Sequence, residues 1–230
     1  RTSTNQGTST STGHVVPRKV VYAPSCVTRM MGPARGDESA GSRSVHEAML
    51  SLFAKAGYEV IIPDGVESQC CGMMFGSKGL VGPADQKMHE LQSSLLAASE
   101  NGKWPVVMDT SPCLATMKTG LNESAEAQAL RFGLYEPVEF IQRFLLDKLE
   151  FSKKKQSVAV HVPCSSKKMG LEKAMEQVAG MCAEKVTGTG IPCCGMAGDR
   201  GMRYPELTGS SLQNMKLGSD VTDGYSTSRT

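Results

Sequence analysis

Val20-Val21-Tyr22-Ala23-Pro24-Ser25-Cys26 is an apolar run that ends in proline beside cysteine. Ser157-Val158-Ala159-Val160-His161-Val162-Pro163-Cys164-Ser165 repeats the plan further on. A short β-branched run bounded by turn residues reads as a buried strand. Proline closes it, and the cysteine is delivered to the loop beyond. Working outward, Ser44 to Ala56 reads as a helix with Val45, Ala48, Met49, Leu52, Phe53 and Ala56 on one face. Ser44 with Glu47 is a capping-box pair, and Gly57 sits where a helix would end. Glu59 to Ile62 is the next strand, stopped by Pro63. Pro83 opens a helix striped by Ala84, Met88, Leu91, Leu95 and Ala98. Val106-Val107-Met108 is a strand leading to Cys113, and Pro137 opens a further helix. After the strand into Cys164 comes a helix over about Gly170 to Glu184, and Pro205 opens a last one towards Lys216. Strands alternating with helices specify an α/β fold with parallel sheets. The repeated layout divides the chain into two duplicated halves, each a small parallel-type sheet with flanking helices, the second cut short. The expected boundaries are a disordered, Ser/Thr-rich tail over 1–17, a first half over 18–152 and a second over 153–230, with Lys153-Lys154-Lys155 as a solvated linker.

The other repeated feature is Cys70-Cys71-Gly72, matched by Cys193-Cys194-Gly195. Extended backbone sends neighbouring side chains to opposite faces, so two adjacent thiols serve one site only where the chain turns sharply. The glycine supplies the permissive backbone for that turn. Loops after parallel strands gather at one sheet edge. Cys26, Cys70, Cys71 and Cys113 are therefore expected to converge on one metal centre, and Cys164, Cys193 and Cys194 on a second. Two buried thiols in a turn is the plain alternative. Zinc, which accepts four thiolates, is the sharper rival. A vicinal disulfide is disfavoured by geometry.

The chain has 230 residues, 40% hydrophobic and 21% charged, with a net charge of +2. It holds enough apolar material for a core and carries no charge excess that would draw nucleic acid. No apolar run reaches the ~18 residues of a spanning helix. Eight cysteines at this length are too few for a disulfide scaffold. Thiolate ligands imply a reduced, intracellular setting, cytoplasmic or mitochondrial, with membrane association left open.

The layout resembles the cysteine-rich "CCG" domain family, found in the cysteine-rich subunit of heterodisulfide reductases, in glycolate oxidase iron–sulfur subunits and at the C-terminus of FAD-linked D-lactate dehydrogenases. The likeness runs from about Arg18 to Thr230 and is most specific in His161 to Gly170, Cys193 to Gly201, Pro205-Glu206-Leu207 and Gly224 to Thr230. It is nearest to the dehydrogenases. That resemblance implies a [4Fe-4S]-type cluster held by the seven cysteines named above. It also implies an upstream flavin domain carrying FAD that oxidises a 2-hydroxy acid, and a quinone or cytochrome as electron acceptor. The chain begins without Met, and the family places a cysteine directly after Ser-Arg-Thr, so a longer protein is expected. The heterodisulfide reductase pattern closes each half with Cys-x-x-Cys. Here Thr110, Ser111 and Thr116 surround a single Cys113, and a five-cysteine cluster does not follow for the first half. The alternative functions are a zinc-binding interaction module and a heterodisulfide reductase-like thiol/disulfide site.

No catalytic residue is assigned: no Ser-His-Asp ordering stands out, and no Gly-x-Gly-x-x-Gly follows a strand to mark a dinucleotide site. Cys182 continues the apolar stripe Leu171, Ala174, Met175, Val178 and Met181 and is expected in the core. His161 reads as a packed or hydrogen-bonded residue, and His46 and His89 as ordinary helix residues. Ser165, Ser166, Lys167 and Lys168 are either a solvated turn or donors to an anion or to cluster sulfurs. Asp199-Arg200 reads as a structural loop pair. Asn122-Glu123-Ser124 matches a glycosylation sequon and carries little weight.

Overall fold

A computed structural model describes residues 18–31, 43–121, 124–221 and 223–228. The expected tail, residues 32–42, most of the sequon, Thr222 and the last two residues lie outside them.

Four short strands make the first sheet: β1 (Arg18–Ala23), β2 (Tyr58–Ile61), β3 (Val106–Met108) and β4 (Leu134–Tyr135). Their order is β2-β1-β3-β4, every pair parallel. The helices between them are α1 (Cys26–Met30), α2 (Val45–Lys55), α3 (Met73–Gly76), α4 (Val81–Ala98), α5 (Ser111–Gly120) and α6 (Ala125–Gly133), and α7 (Pro137–Phe140) follows β4 and runs into a π-turn at Ile141–Leu145. Alternation along β1 divides the core. Val20 and Tyr22 face Met49, Phe53, Phe140 and Leu145 on one side. Val21 and Ala23 face Leu91, Leu95, Leu114, Met117 and Leu130 on the other, together with Cys71 and Cys113. Each large apolar side chain buried this way contributes ~1.5–3 kcal/mol.

The second sheet repeats the plan with β5 (Lys155–Val160), β6 (Ala183–Gly188) and β7 (Asp223–Tyr225), ordered β6-β5-β7 and again all parallel. Its helices are α8 (Cys164–Lys168), α9 (Glu172–Cys182), α10 (Arg200–Arg203) and α11 (Pro205–Leu212). The mixed α/β architecture with two small parallel sheets is thus as the sequence implies. β5 occupies the place of β1, and a one-turn helix that begins with a cysteine follows each of them.

The Ser44–Glu47 capping box is present on both of its arms, and Gly57 takes a φ of +73° just past α2. Three expectations need correction. The helix after Cys164 ends at Cys182, and the chain enters β6 there. Cys182 is therefore exposed, while its neighbour Ala183 takes the buried position. Lys155 belongs to β5 and pairs with Asp223 at 2.8 Å, so only Lys153 and Lys154 remain as exposed linker. The sequence reading assigned no element to β4, β6, β7, α5 or α6.

The two sheets share an interface. Ser111 and Ser165 hydroxyls lie 2.8 Å apart, and the Ser111 N–H donates to the Thr227 carbonyl at 3.2 Å. Met169 packs against the core of the first half, and Lys78 pairs with Asp199 at 2.9 Å.

Candidate metal centres

In an open parallel sheet, the connections on either side of one strand diverge and leave a crevice at its carboxyl end. β1 is that strand in the first half, with β2 on one flank and β3 on the other. Cys26, at the start of α1, lies past the end of β1, and Cys113, in the first turn of α5, lies past the end of β3. Both reach the crevice. Cys70 and Cys71 come from the corner between β2 and α4. Gly72 there has a φ of +80°, and a Cβ on it would land on the Ala84 carbonyl. Only glycine fits that close approach.

The four sulfurs line one cavity of about 20 Å3 with Ala23, Pro24, Val66, Leu91 and Met108. That is the room of about one water. Cys113 and Cys70 both bond to Cys71 and, with burial, push its thiol far up. Hydrogen bonding with Cys70 and burial likewise raise Cys26. Cys70 is the counterpart: bonds from Cys26 and Cys71 hold it far below the usual thiol range. Arg29 donates to the Gln69 carbonyl at 2.8 Å, which ties α1 to the corner, and its charge favours ionisation of Cys26.

A buried polar knot holds this arrangement. Asp109 accepts from the Tyr22 hydroxyl at 2.7 Å and from the Ser25 N–H at 2.9 Å. Ser25 caps α1 through Thr28, and its hydroxyl lies 2.7 Å from that of Thr110. One carboxylate thereby joins the turn before Cys26 to the turn before Cys113. The sequence reading missed Asp109; a lone acid directly after the apolar strand Val106–Met108 was the available signal.

In the second half, Cys164 begins α8 beyond β5 and stands beside Cys193 and Cys194. Burial and the neighbouring Cys193 raise the Cys164 thiol. Gly195 repeats the part of Gly72, with a φ of +78° and a Cβ position 2.5 Å from the Leu207 carbonyl. Its N–H donates to the Cys193 sulfur at 3.4 Å. These three sulfurs border an open cavity of about 400 Å3. Met73, Pro112 and Ala115 of the first half line its other side. Met73 and Pro112 are chain neighbours of the Cys71-Gly72 corner and of Cys113, so the starts of α3 and α5 separate the two sulfur groups.

All seven cysteines named from the sequence therefore fall into two groups, four and three. All eight cysteines are free, with no vicinal disulfide. Cys182 is neither in the core nor among the residues lining the second cavity. His161 bonds Thr189 at 3.0 Å, and burial holds it below its usual range. Ser165 and Ser166 are neither a solvated turn nor an anion site: Ser165 faces Ser111 across the interface, and Ser166 faces Thr227 within the second half. Asp199 is structural, but its partners are Lys78 and Arg203, not Arg200.

By donor chemistry both groups suit a thiophilic metal. In the first, the sulfurs rest on one another. Among the described residues, no three or more Cys, His, Asp or Glu side chains stand in metal-holding geometry. The second has the room and an exposed face but three sulfurs. No described helix is long and apolar enough to cross a membrane.

Residues 20–118 match the family model of the cysteine-rich domain CCG. Cys26, Cys70, Cys71 and Cys113 fall inside the match, whereas the likeness read from the sequence was most specific beyond it. Comparison with curated proteins gives no match.

Proposed function

We propose that this chain, whose residues 20–118 form a CCG cysteine-rich domain, is the electron-transfer part of a flavin-linked 2-hydroxy-acid oxidoreductase of the D-lactate dehydrogenase type. The observation that carries the proposal is the pair of sulfur groups, each built from a Cys-Cys-Gly corner and a cysteine past a central strand, lying on either side of the starts of α3 and α5. An iron–sulfur centre, when bound, supplies a one-electron store tuned by hydrogen bonds and burial. Cys26, Cys70, Cys71 and Cys113 would hold one such centre and Cys164, Cys193 and Cys194 the other. The chain's own contribution is placement. Gly72 and Gly195 turn the paired thiols to one side, Asp109 locks the Cys26 turn, and the Gly195 N–H supports Cys193. Cys164 and Cys193 are exposed, which suits exchange with a flavin domain or with a quinone or cytochrome.

Anaerobic loading of the chain with iron and sulfide tests this. The expected product is brown, with bound iron and an electron paramagnetic resonance signal on reduction, part of which Cys194→Ser removes. A colourless chain that binds no iron overturns it.

One observation favours a second reading for the first group, a single zinc ion. A tetrahedral site with Zn–S bonds of about 2.3 Å holds its sulfurs roughly 3.8 Å apart. That suits thiols already bonded to one another better than a four-iron cluster does. Stoichiometric zinc that survives anaerobic purification and resists replacement by iron would select it.

A further inference from the structure

Glu136 lies between β4 and α7, fully buried at 0% exposure. Its Oε2 accepts from the Val138 N–H at 2.8 Å and caps α7. Its Oε1 is buried with no hydrogen bond of normal geometry among the described residues. The Thr227 hydroxyl faces the carboxyl from β7's exit, in the second half. Thr227 is also a junction. Its hydroxyl lies 3.0 Å from that of Ser166, two residues past Cys164, and its carbonyl accepts from the Ser111 N–H, two residues before Cys113. A chain of polar groups thus runs from one buried acid towards both sulfur groups.

The charged groups facing Glu136 do little to settle an anion there. Glu139, on α7, adds a second negative charge. Arg143 pairs with Glu139 at 2.9 Å, and Lys118, on α5, stands 3.7 Å from the same carboxylate.

We propose that Glu136 is a proton-holding site whose occupancy is linked to the charge on the sulfur groups. Resting on the electron-transfer reading, the step balances simply. As one electron arrives from a flavin-class donor, the Glu136 carboxylate takes one proton from solvent, and a single O–H bond forms. Burial, which raises this carboxyl to about 7, places that exchange at neutral pH.

Infrared spectroscopy of the metal-free full chain tests the site itself. A protonated carboxyl band should persist to about neutral pH, vanish above it and be missing from Glu136→Gln. Thr227→Val, which removes a hydroxyl that favours the anion, should move the midpoint upward. A wild-type band lost by pH 5, or one unchanged in Glu136→Gln, overturns the proposal. With the iron-loaded chain, the reduction potential should fall as pH rises through about 7 and stay level in Glu136→Gln. Equal pH dependence in both overturns the linkage. Failure of the chain to load iron defeats the electron-transfer reading, and with it the linkage, while the infrared result still decides whether Glu136 holds the proton.

Discussion

Two carboxylates with opposite surroundings do much to shape the molecule at the scale of single residues. Asp109 is buried yet receives hydrogen bonds on both oxygens, from the Tyr22 and Thr110 hydroxyls and the Ser25 N–H. Glu136 is buried with one oxygen bonded and one orphaned. A carboxyl whose folded pKa exceeds its unfolded value stabilises the fold fully below the unfolded value and loses that contribution as pH rises through the folded one. For Glu136 the window runs from the usual 4.5 to about 7. The span is worth ~3 kcal/mol at about 1.4 kcal/mol per unit. Urea unfolding should therefore show stability declining across that window in the wild type. In Glu136→Gln, which keeps an oxygen for the Val138 N–H, the decline should be shallower by that amount. Equal slopes would mean that the carboxyl ionises normally. Glu136 was not legible beforehand, and Asp109 showed only as an acid placed directly after an apolar strand. Both sit at strand ends, where an isolated Asp or Glu looks like any polar loop residue, and only the topology buries them. The cysteines were legible because adjacent thiols followed by glycine have few structural uses.

Among the elements, the Cys-Cys-Gly corners are the most constrained pieces. Gly72 and Gly65 both have positive φ, +80° and +68°. They differ in what surrounds them. A methyl at Gly72 collides with the Ala84 backbone at the start of α4, whereas one at Gly65 meets nothing within 4 Å. Gly65→Ala should cost only the left-handed backbone penalty, ~1–2 kcal/mol. Gly72→Ala should cost at least ~2 kcal/mol more, through overpacking against main chain that cannot swing aside. It should also make Cys70 and Cys71 react faster with a thiol reagent. Denaturation and labelling of the two variants check this, and matching behaviour would remove the corner's special status. The strands that escaped the sequence reading did so for two reasons. β4 and β7 have two and three residues, too few for a period to show. β6 is an edge strand, and its Glu184 and Lys185 hide the β pattern as edge charges commonly do. The long, striped α2 and α4, with their cap and proline signals, were readable.

Across the whole molecule, neither half completes its surroundings alone. The wall opposite Cys164, Cys193 and Cys194 is made by Met73, Pro112 and Ala115, and Met169 returns the contact by entering the first half's core cluster. The duplication was readable from the two strand–proline–cysteine runs, but the docking was not, because Ser165, Ser166 and Met169 carry no signal of what they face. The bonds across the interface are modest taken singly: the Ser111–Ser165 hydroxyl pair, the Ser111–Thr227 main-chain bond, the exposed Gln142–Gln177 amide pair and the partly exposed Lys78–Asp199 pair, the last worth ~0–1 kcal/mol and screened by salt. The packing of α8 on α5 and of α9 on α7, together with the apolar contact of Met169, then supplies most of the coupling. Calorimetry should show the wild-type chain melting in one transition, as units that stabilise each other do. Met169→Asp places an unpaired charge against apolar side chains, a change that costs several kcal/mol if the interface stays closed. The chain escapes that cost by separating the halves, so the single transition should split in two, with the first half's melting the less affected because its core is the larger. The same variant should leave Cys26, Cys70, Cys71 and Cys113 shielded from a thiol reagent while Cys164, Cys193 and Cys194 become more reactive. A Met169→Asp chain that still melts in one step would show that the two sheets are held together by something other than this contact.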